Sequence, residues 1–359
     1  MKRELPRAIR VQKVGVTVRL KAIRTVIIRR LALLGATLLF IAVLVTGLYV
    51  LPGTPVTPPV ASELPPSDPP PLTPVEPVAP DRRLPGVISA VIDNKAEARP
   101  QSGLDRADLV VEMMAEGGIT RYLAFFYSRG ASVIGPIRSA RPYFAEIAKA
   151  YNAPLAHAGG SAETLERIRS LNVPSIDEIN NASRAFWRDR ARLMPHNLYT
   201  STERLLAEAE RRRFPWRSLP EISPGSMPIG EDAFRVSLTY SPWYKVEWLW
   251  RDGAYHRLIN GDEHLMKDGV AITAHNVIIL AASHTRDAAE NTRTVIDIIG
   301  TGPALFLRDG QLHRGSWKKE SAGGHFIFTV NEVDYNYYPG NTWLQIVPNL
   351  DMVGSKTDR

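Results

Sequence analysis

The sequence predicts an α+β protein, with an N-terminal mixed α/β domain followed by a mainly antiparallel β domain. Three observations carry this. First, "VISAVID" (87–93) reads as a buried strand, and "DLVVEMMAE" (108–116) and "RYLAFFYS" (121–128) flank two glycines as a hairpin would. Second, "YFAEIAKAYN" (143–152), "SAETLERIRSL" (161–171) and "STERLLAEAERRR" (201–213) have helical spacing, the last two with Ser/Thr starting signals. Third, beyond the loop 214–230 the chain breaks into short segments rich in β-branched and aromatic residues. These include "RVSLTYS", "YKVEWLW", "NVIILAA", "ALFLRD", "HFIFTV" and "TWLQIVP", with Asp-Gly hairpin turns at 252–253 and 309–310.

The N-terminal region has a different character. Residues 1–30 carry ten Lys/Arg and one Glu, so the formal net charge of +7 belongs to this tail. The remaining residues hold 34 basic and 36 acidic side chains, too balanced for a general nucleic-acid footprint. Leu31 to Leu51 contains no charged residue in 21, enough to cross a ~30 Å hydrocarbon core. The basic residues on one side predict a cytoplasmic N-terminus and an extracytoplasmic remainder. Cleavage at a small-residue site near Ala61 is the rival reading, although a signal peptide has a shorter apolar region. Residues 52–85 include thirteen prolines, which fix φ and donate no hydrogen bond, so an extended linker is expected. The expected organisation is thus a basic cytoplasmic tail (1–30), a transmembrane helix (31–51), a Pro-rich linker (52–85), an N-terminal domain (86–222) and a C-terminal domain (230–350). Absence of cysteine removes disulfides, thiolate metal sites and any cysteine nucleophile or lipid-acylation site.

No HExxH, Walker A or nucleophile-elbow spacing occurs, and the eight histidines are scattered, so neither a metal nor another cofactor is indicated. The informative features are polar clusters in turn-rich segments. "GPIRSARPY" (135–143) aims Arg138 and Arg141 from a proline-stiffened segment, and guanidinium forks suit carboxylates and phosphates. Alternation along 108–116 places Glu112 and Glu116 on one strand face, and the hairpin returns Arg121 beside Glu116. A pair of carboxylates can serve glycoside cleavage, with His157 as a further candidate group; internal ion pairing with the arginines is the alternative. In "HAGGS" (157–161) two glycines permit close backbone approach, and Ser161 opens a helix whose free N–H groups can meet an anion. "FWRDRARLMPHNLYTS" (186–201) adds Arg188, Asp189, His196 and Asn197 in an irregular stretch, where binding residues concentrate. In "GSWKKES" (315–321), Trp317 beside Lys318 and Lys319 is a candidate for stacking on a sugar ring, the other tryptophans being expected in the core.

Together, "AVIDNKAEARPQSGL", "ADLVVEMMAEGGITRYLAFF", "GPIRSARPYF", "HAGGS", "FWRD", "PHNLYTS", "GSWKKES" and "TWLQIVP" resemble the YerB-type bacterial lipoprotein family over residues 86–350. The resemblance implies a cell-envelope protein with two sheets and helices in a three-layer ββα sandwich. The chain departs from the family in lacking a cysteine to acylate, so the 31–51 span would have to serve as anchor. Three functions are compatible with these features. One is a membrane-anchored module whose arginines bind an anionic ligand, such as peptidoglycan or another envelope component. A second is a metal-independent peptidoglycan-cleaving enzyme using Glu112 and Glu116, and the third is a structural or assembly protein.

Overall fold

Strand pairing between residues far apart in sequence sets the architecture of this protein. The computed structural model describes residues 84–215, 229–287, 293–335 and 340–357. The expected tail and transmembrane helix, and nearly all of the Pro-rich linker, lie outside the described residues. Among those described, no helix is long and apolar enough to cross a membrane.

Five strands open the fold: β1 (Ile88–Asp93), β2 (Leu109–Met114), β3 (Thr120–Phe126), β4 (Leu155–His157) and β5 (Ser175–Asp177). Three α-helices accompany them: α1 (Pro142–Ala150), α2 (Ala162–Ser170) and α3 (Thr202–Arg211). Pro142 sits in the first turn of α1, where its missing N–H costs no hydrogen bond. The Ser161 and Ser201 hydroxyls accept from the backbone N–H of Thr164 and Arg204, capping α2 and α3.

The expectation of an N-terminal α/β domain beside a mainly β domain in a ββα sandwich is corrected here. The described chain is mostly β, and strands from both halves join one twelve-stranded sheet. From one edge the order runs β5, β4, β1, β3, β2, then Thr342–Val347, Asn276–Ala281, Gly300–Arg308, Gln311–Lys319, Ile327–Val330 and Val333–Asp334, with the twelfth strand, Glu231–Asp232, pairing with Gln311–Lys319 off this path. The seam between halves is Thr342–Val347, parallel to β2 on one side and to Asn276–Ala281 on the other. A second sheet of six strands includes Arg235–Ser241, Tyr244–Arg251 and Ala254–Ile259. Helical and strand periodicities are local, whereas the insertion of a strand from near the C-terminus beside β2 is not. That is why local patterns do not reveal that strands of the two halves share one sheet.

The period-two alternation of the strands divides the core. Leu109, Val111, Met113, Leu123 and Phe125 pack with Phe144 and Ile147 of α1 and Ile168 of α2. On the opposite face Ile88, Ala90, Ile92, Val110, Tyr122 and Phe126 pack with the smaller sheet through Val236, Leu238, Val246 and Trp248. The turns at Asp252-Gly253 and Asp309-Gly310 have positive φ at both residues, as a tight hairpin reversal requires.

β1, β4 and β5 are mutually parallel, so their carboxyl ends share one edge of the sheet. Asp93 ends β1, His157 ends β4 and Asp177 ends β5. Loops following such strand ends form the crevice in which open sheets with parallel strands bind ligands.

Candidate functional site

"GPIRSARPY" crosses this carboxyl edge and is stitched to it on both sides. Arg138 N–H donates to the Val91 carbonyl, Ala158 N–H to the Arg138 carbonyl, and Ala140 N–H to the Gly159 carbonyl. The segment therefore lies between the ends of β1 and β4, with successive side chains pointing different ways. Ser139 and Arg141 line a cleft of about 610 Å³, together with Glu116, Gly159, Gly160, Ser161, Asn180 and Arg293.

One wall of the cleft is a glutamate gripped by two arginines. Arg141 holds Glu116 through Nε and Nη2, the latter at 2.7 Å, and Arg121 Nη2 lies 3.2 Å from Glu116 Oε2. Arg121 also donates to the Ser139 carbonyl at 3.1 Å, while its buried Nε has no hydrogen-bond partner among the described residues. Burial pushes the Glu116 carboxyl up, but the Arg141 hydrogen bond and the charges of both arginines outweigh it and hold the carboxyl below its ordinary value. Burial, and then the charge of Arg141, lower the Arg121 pKa, although a guanidinium stays protonated at any physiological pH. Two cations on one anion leave a net positive charge at the cleft wall.

The facing wall is the start of α2. Gly159 has φ +63, and a Cβ there would come within 2.9 Å of the Ile179 side chain; a Cβ on Gly160 would meet Thr164 at 3.0 Å. These glycines let the backbone turn tightly into the helix while staying open to the cleft. Buried Asp177 fixes the loops, accepting from Gly159 N–H at 2.8 Å and Ile179 N–H at 3.0 Å.

Beside the cleft, Asp93 is almost completely buried and holds two further predicted residues. Arg138 Nε lies 3.0 Å from Asp93 Oδ2, and His196 Nδ1 donates to the same oxygen at 2.8 Å. In the sheet register Asp93 is paired with Arg121, so the two arginine–carboxylate groups are neighbours.

The other predicted site residues have different positions. Glu112 and Glu116 do not share a strand face, because β2 ends at Met114 and Glu116 begins a 3₁₀ turn. Glu112 points between the two sheets and is fully buried. It accepts from Tyr244 at 2.6 Å, Thr120 at 2.7 Å, Arg257 at 2.7 Å, Gln345 at 3.1 Å and Trp343 at 3.2 Å. No lone pair is left there for chemistry. His157 is buried with both ring nitrogens engaged, by the Gly159 carbonyl and the Ser175 hydroxyl, and burial lowers its pKa. Arg188 pairs with Glu178 and donates to the Asn197 side chain, and Asp189 meets Lys267. Arg188 and Asn197 brace their own loop, and Asp189 ties it to the segment carrying Lys267. Trp317 is a core residue whose indole N–H donates to the Ala281 carbonyl at 2.7 Å, and Lys318 is exposed beside Glu320. Neither lines the cleft. Of "GSWKKES" it is Lys319 whose ammonium is buried, donating to the Ser321 and Ala322 carbonyls; burial brings its pKa down to about 8.

Sequence reading passed over Asp93, Asp177, Ser139, Asn180 and Arg293. A signal existed for the first two: each is an acidic residue at the end of a short apolar run ("VISAVID", "VPSID"), where a buried strand exposes its carboxyl end. Arg293 reaches the cleft from the far half of the chain and has no such local mark.

Fold and site define a mostly-β protein with a polar, net-positive cleft at the carboxyl ends of parallel strands. Comparison with known proteins places it more narrowly. Residues 72–215 match the N-terminal domain, and 236–344 the C-terminal domain, of the family described as "Protein of unknown function (DUF3048)". The chain is 29% identical over 276 residues to "Putative lipoprotein YerB" of Bacillus subtilis (strain 168), covering 74% of this chain and 82% of that protein. The crystal structure of the YerB protein from Bacillus subtilis superposes with a TM-score of 0.67 at 28% identity, covering 76% of this chain and 93% of that one. The chain is thus similar in both of its halves to the two domains of this family and, over most of its length, to YerB.

Proposed function

We propose that this is a membrane-associated, extracytoplasmic cell-envelope protein that binds an anionic ligand or wall component in the cleft of Arg141, Ser139 and Gly159–Ser161. The observation that carries the reading is the pair Arg121 and Arg141 sharing the single carboxylate of Glu116 on the cleft wall. An excess guanidinium charge beside free helix-start N–H groups favours a carboxylate or phosphate. Membrane association is supported by the relative named as a putative lipoprotein. In this chain, which has no cysteine, the apolar stretch 31–51 would be a single-pass anchor with a cytoplasmic N-terminus, and the Pro-rich linker a spacer.

The test is co-sedimentation of the full chain in detergent with purified wall fractions. The Arg138→Ala/Arg141→Ala variant should bind roughly 10- to 100-fold more weakly, as expected for losing charge-assisted hydrogen bonds of about 1.5–3 kcal/mol. Equal binding by both proteins, with circular dichroism unchanged, would end the arginine reading. Cleavage by Glu112 and Glu116 as an acid–base pair has no support in this geometry.

A further inference from the structure

The Asp93 cluster has a chemical asymmetry that ligand binding does not use. Asp93 ends β1 with 1% of its side chain exposed, and its Oδ1 accepts from the Lys95 backbone N–H at 3.1 Å. Its Oδ2 faces Arg138 and His196. A carboxylate only accepts when ionised, so the His196 nitrogen facing it, Nδ1, carries the hydrogen. The other nitrogen of neutral imidazole, Nε2, then presents a lone pair. Among the described residues Nε2 has no hydrogen-bond partner, and the side chain keeps 11% exposure. Arg138 is similarly half committed. Its Nε lies 3.0 Å from Asp93 as an ion pair without hydrogen-bond geometry, its terminal nitrogens make no hydrogen bond among the described residues, and the side chain is 27% exposed. A base oriented by a buried carboxylate, with an uncommitted guanidinium on the same carboxylate, is the arrangement general-base chemistry on an anionic centre requires.

We propose that Asp93 and His196 form a general-base dyad which, with Arg138, hydrolyses phosphate esters. Phosphate is the favoured centre because Arg138 meets the same Asp93 oxygen as His196 while its terminal guanidinium nitrogens stay uncommitted among the described residues, and guanidinium groups match phosphoryl oxygens. His196 Nε2 takes one proton from a water molecule as the water oxygen bonds to phosphorus. Arg138 offsets the negative charge gathering on the phosphoryl oxygens. The bond from phosphorus to the leaving oxygen breaks with its electron pair passing to that oxygen, and the imidazolium returns the proton to it. A phosphodiester and water thus give a phosphomonoester and an alcohol, and nothing is oxidised or reduced. Asp93 is a positioning residue in this scheme, setting the tautomer and stabilising the imidazolium.

The experiment is nitrophenolate release from bis(p-nitrophenyl) phosphate by the purified full chain, with chelator present to silence contaminating metallophosphatases. Wild type should exceed the buffer rate, and His196→Ala and His196→Gln should each lose about 100-fold or more, the usual contribution of a general base. Added imidazole should restore part of the rate to His196→Ala and none to His196→Gln, which leaves no space for it. A purely structural histidine would show no such rescue. Wild-type release no faster than buffer, a His196→Ala rate equal to wild type, or loss without imidazole rescue would each overturn the proposal. Wall co-sedimentation of the same variants is measured in parallel, so that loss of turnover with retained binding is distinguished from failure of the cleft to bind.

Discussion

Glu112 and Glu116 stand four residues apart, each held by arginine, and they do opposite things. Glu112 lies between the sheets with Arg257, both side chains fully buried. Arg257 also donates to His264 Nδ1 at 2.9 Å, and His264 Nε2 meets the Gln101 side-chain oxygen at 2.9 Å. Burial, then the charge of Arg257, push the His264 pKa far down, so the ring is neutral and its Nδ1 accepts. Tyr122, Trp248 and Trp343 enclose the guanidinium, with Trp343 nearest at 4.8 Å to the ring centre. Glu116, past the end of the strand, is shared by two arginines and opens onto a cleft. A cluster whose opposite charges are paired away from water, with Arg257 Nε its one donor left without a hydrogen bond among the described residues, fixes a fold; one with surplus charge at a strand end is available to a ligand. Residue type does not separate the two cases, but satisfaction and exposure do.

This contrast makes graded predictions. The largest effect should come from Arg257→Ala, which strands a buried carboxylate and should destabilise by about 3–5 kcal/mol, read as a drop in urea midpoint. The double replacement Glu112→Gln/Arg257→Met should cost less than the two single changes added together, by ~0.5–3 kcal/mol of coupling. Strict additivity would break the description of the pair as one unit. Glu116→Gln should cost only about 1 kcal/mol or less, being part-exposed and screened. It should tighten binding to wall fractions, because the edge gains a positive charge; weaker binding would contradict the sign of the field.

Glu116 also sets a pH dependence. Its folded carboxyl titrates below the ordinary glutamate value of 4.5. The unfolded chain therefore binds its proton first as pH falls. The stabilisation is present above that value and is lost as pH falls through the folded titration, and Glu116→Gln should remove this part of the acid sensitivity. The smallest effect should be Lys318→Ala. Its pair with Glu320 leaves both side chains more than half exposed, so stability should change by less than ~0.5 kcal/mol and wall binding should not change.

Part of the candidate cleft's geometry was legible before the structure. The prolines of "GPIRSARPY" and the glycines of "HAGGS" mark backbone held in special geometry, and the structure ties those two segments directly together. Return of Arg121 to Glu116 follows from a hairpin with a glycine turn, which is a local property. His196 was singled out from an irregular loop, but its partner Asp93 was not, because 103 residues separate them. Glu112 was misjudged for a related reason. Its face on the strand follows from alternation, but what covers that face comes from residues 244, 257, 343 and 345, far along the chain.

By itself the sequence determined the local elements: caps at Ser161 and Ser201, tight turns at 252–253 and 309–310, and alternating strands that bury one residue in two on each face. Those properties depend on neighbours within a few residues, where backbone sterics and short-range hydrogen bonds decide the outcome. Only the tertiary structure decided that Thr342–Val347 joins the two halves in one sheet. It also decided that one glutamate is sealed between sheets while the other meets a cleft. Both outcomes depend on long-range pairing, whose partners are chosen by how the whole chain buries its apolar faces and satisfies the polar groups buried with them.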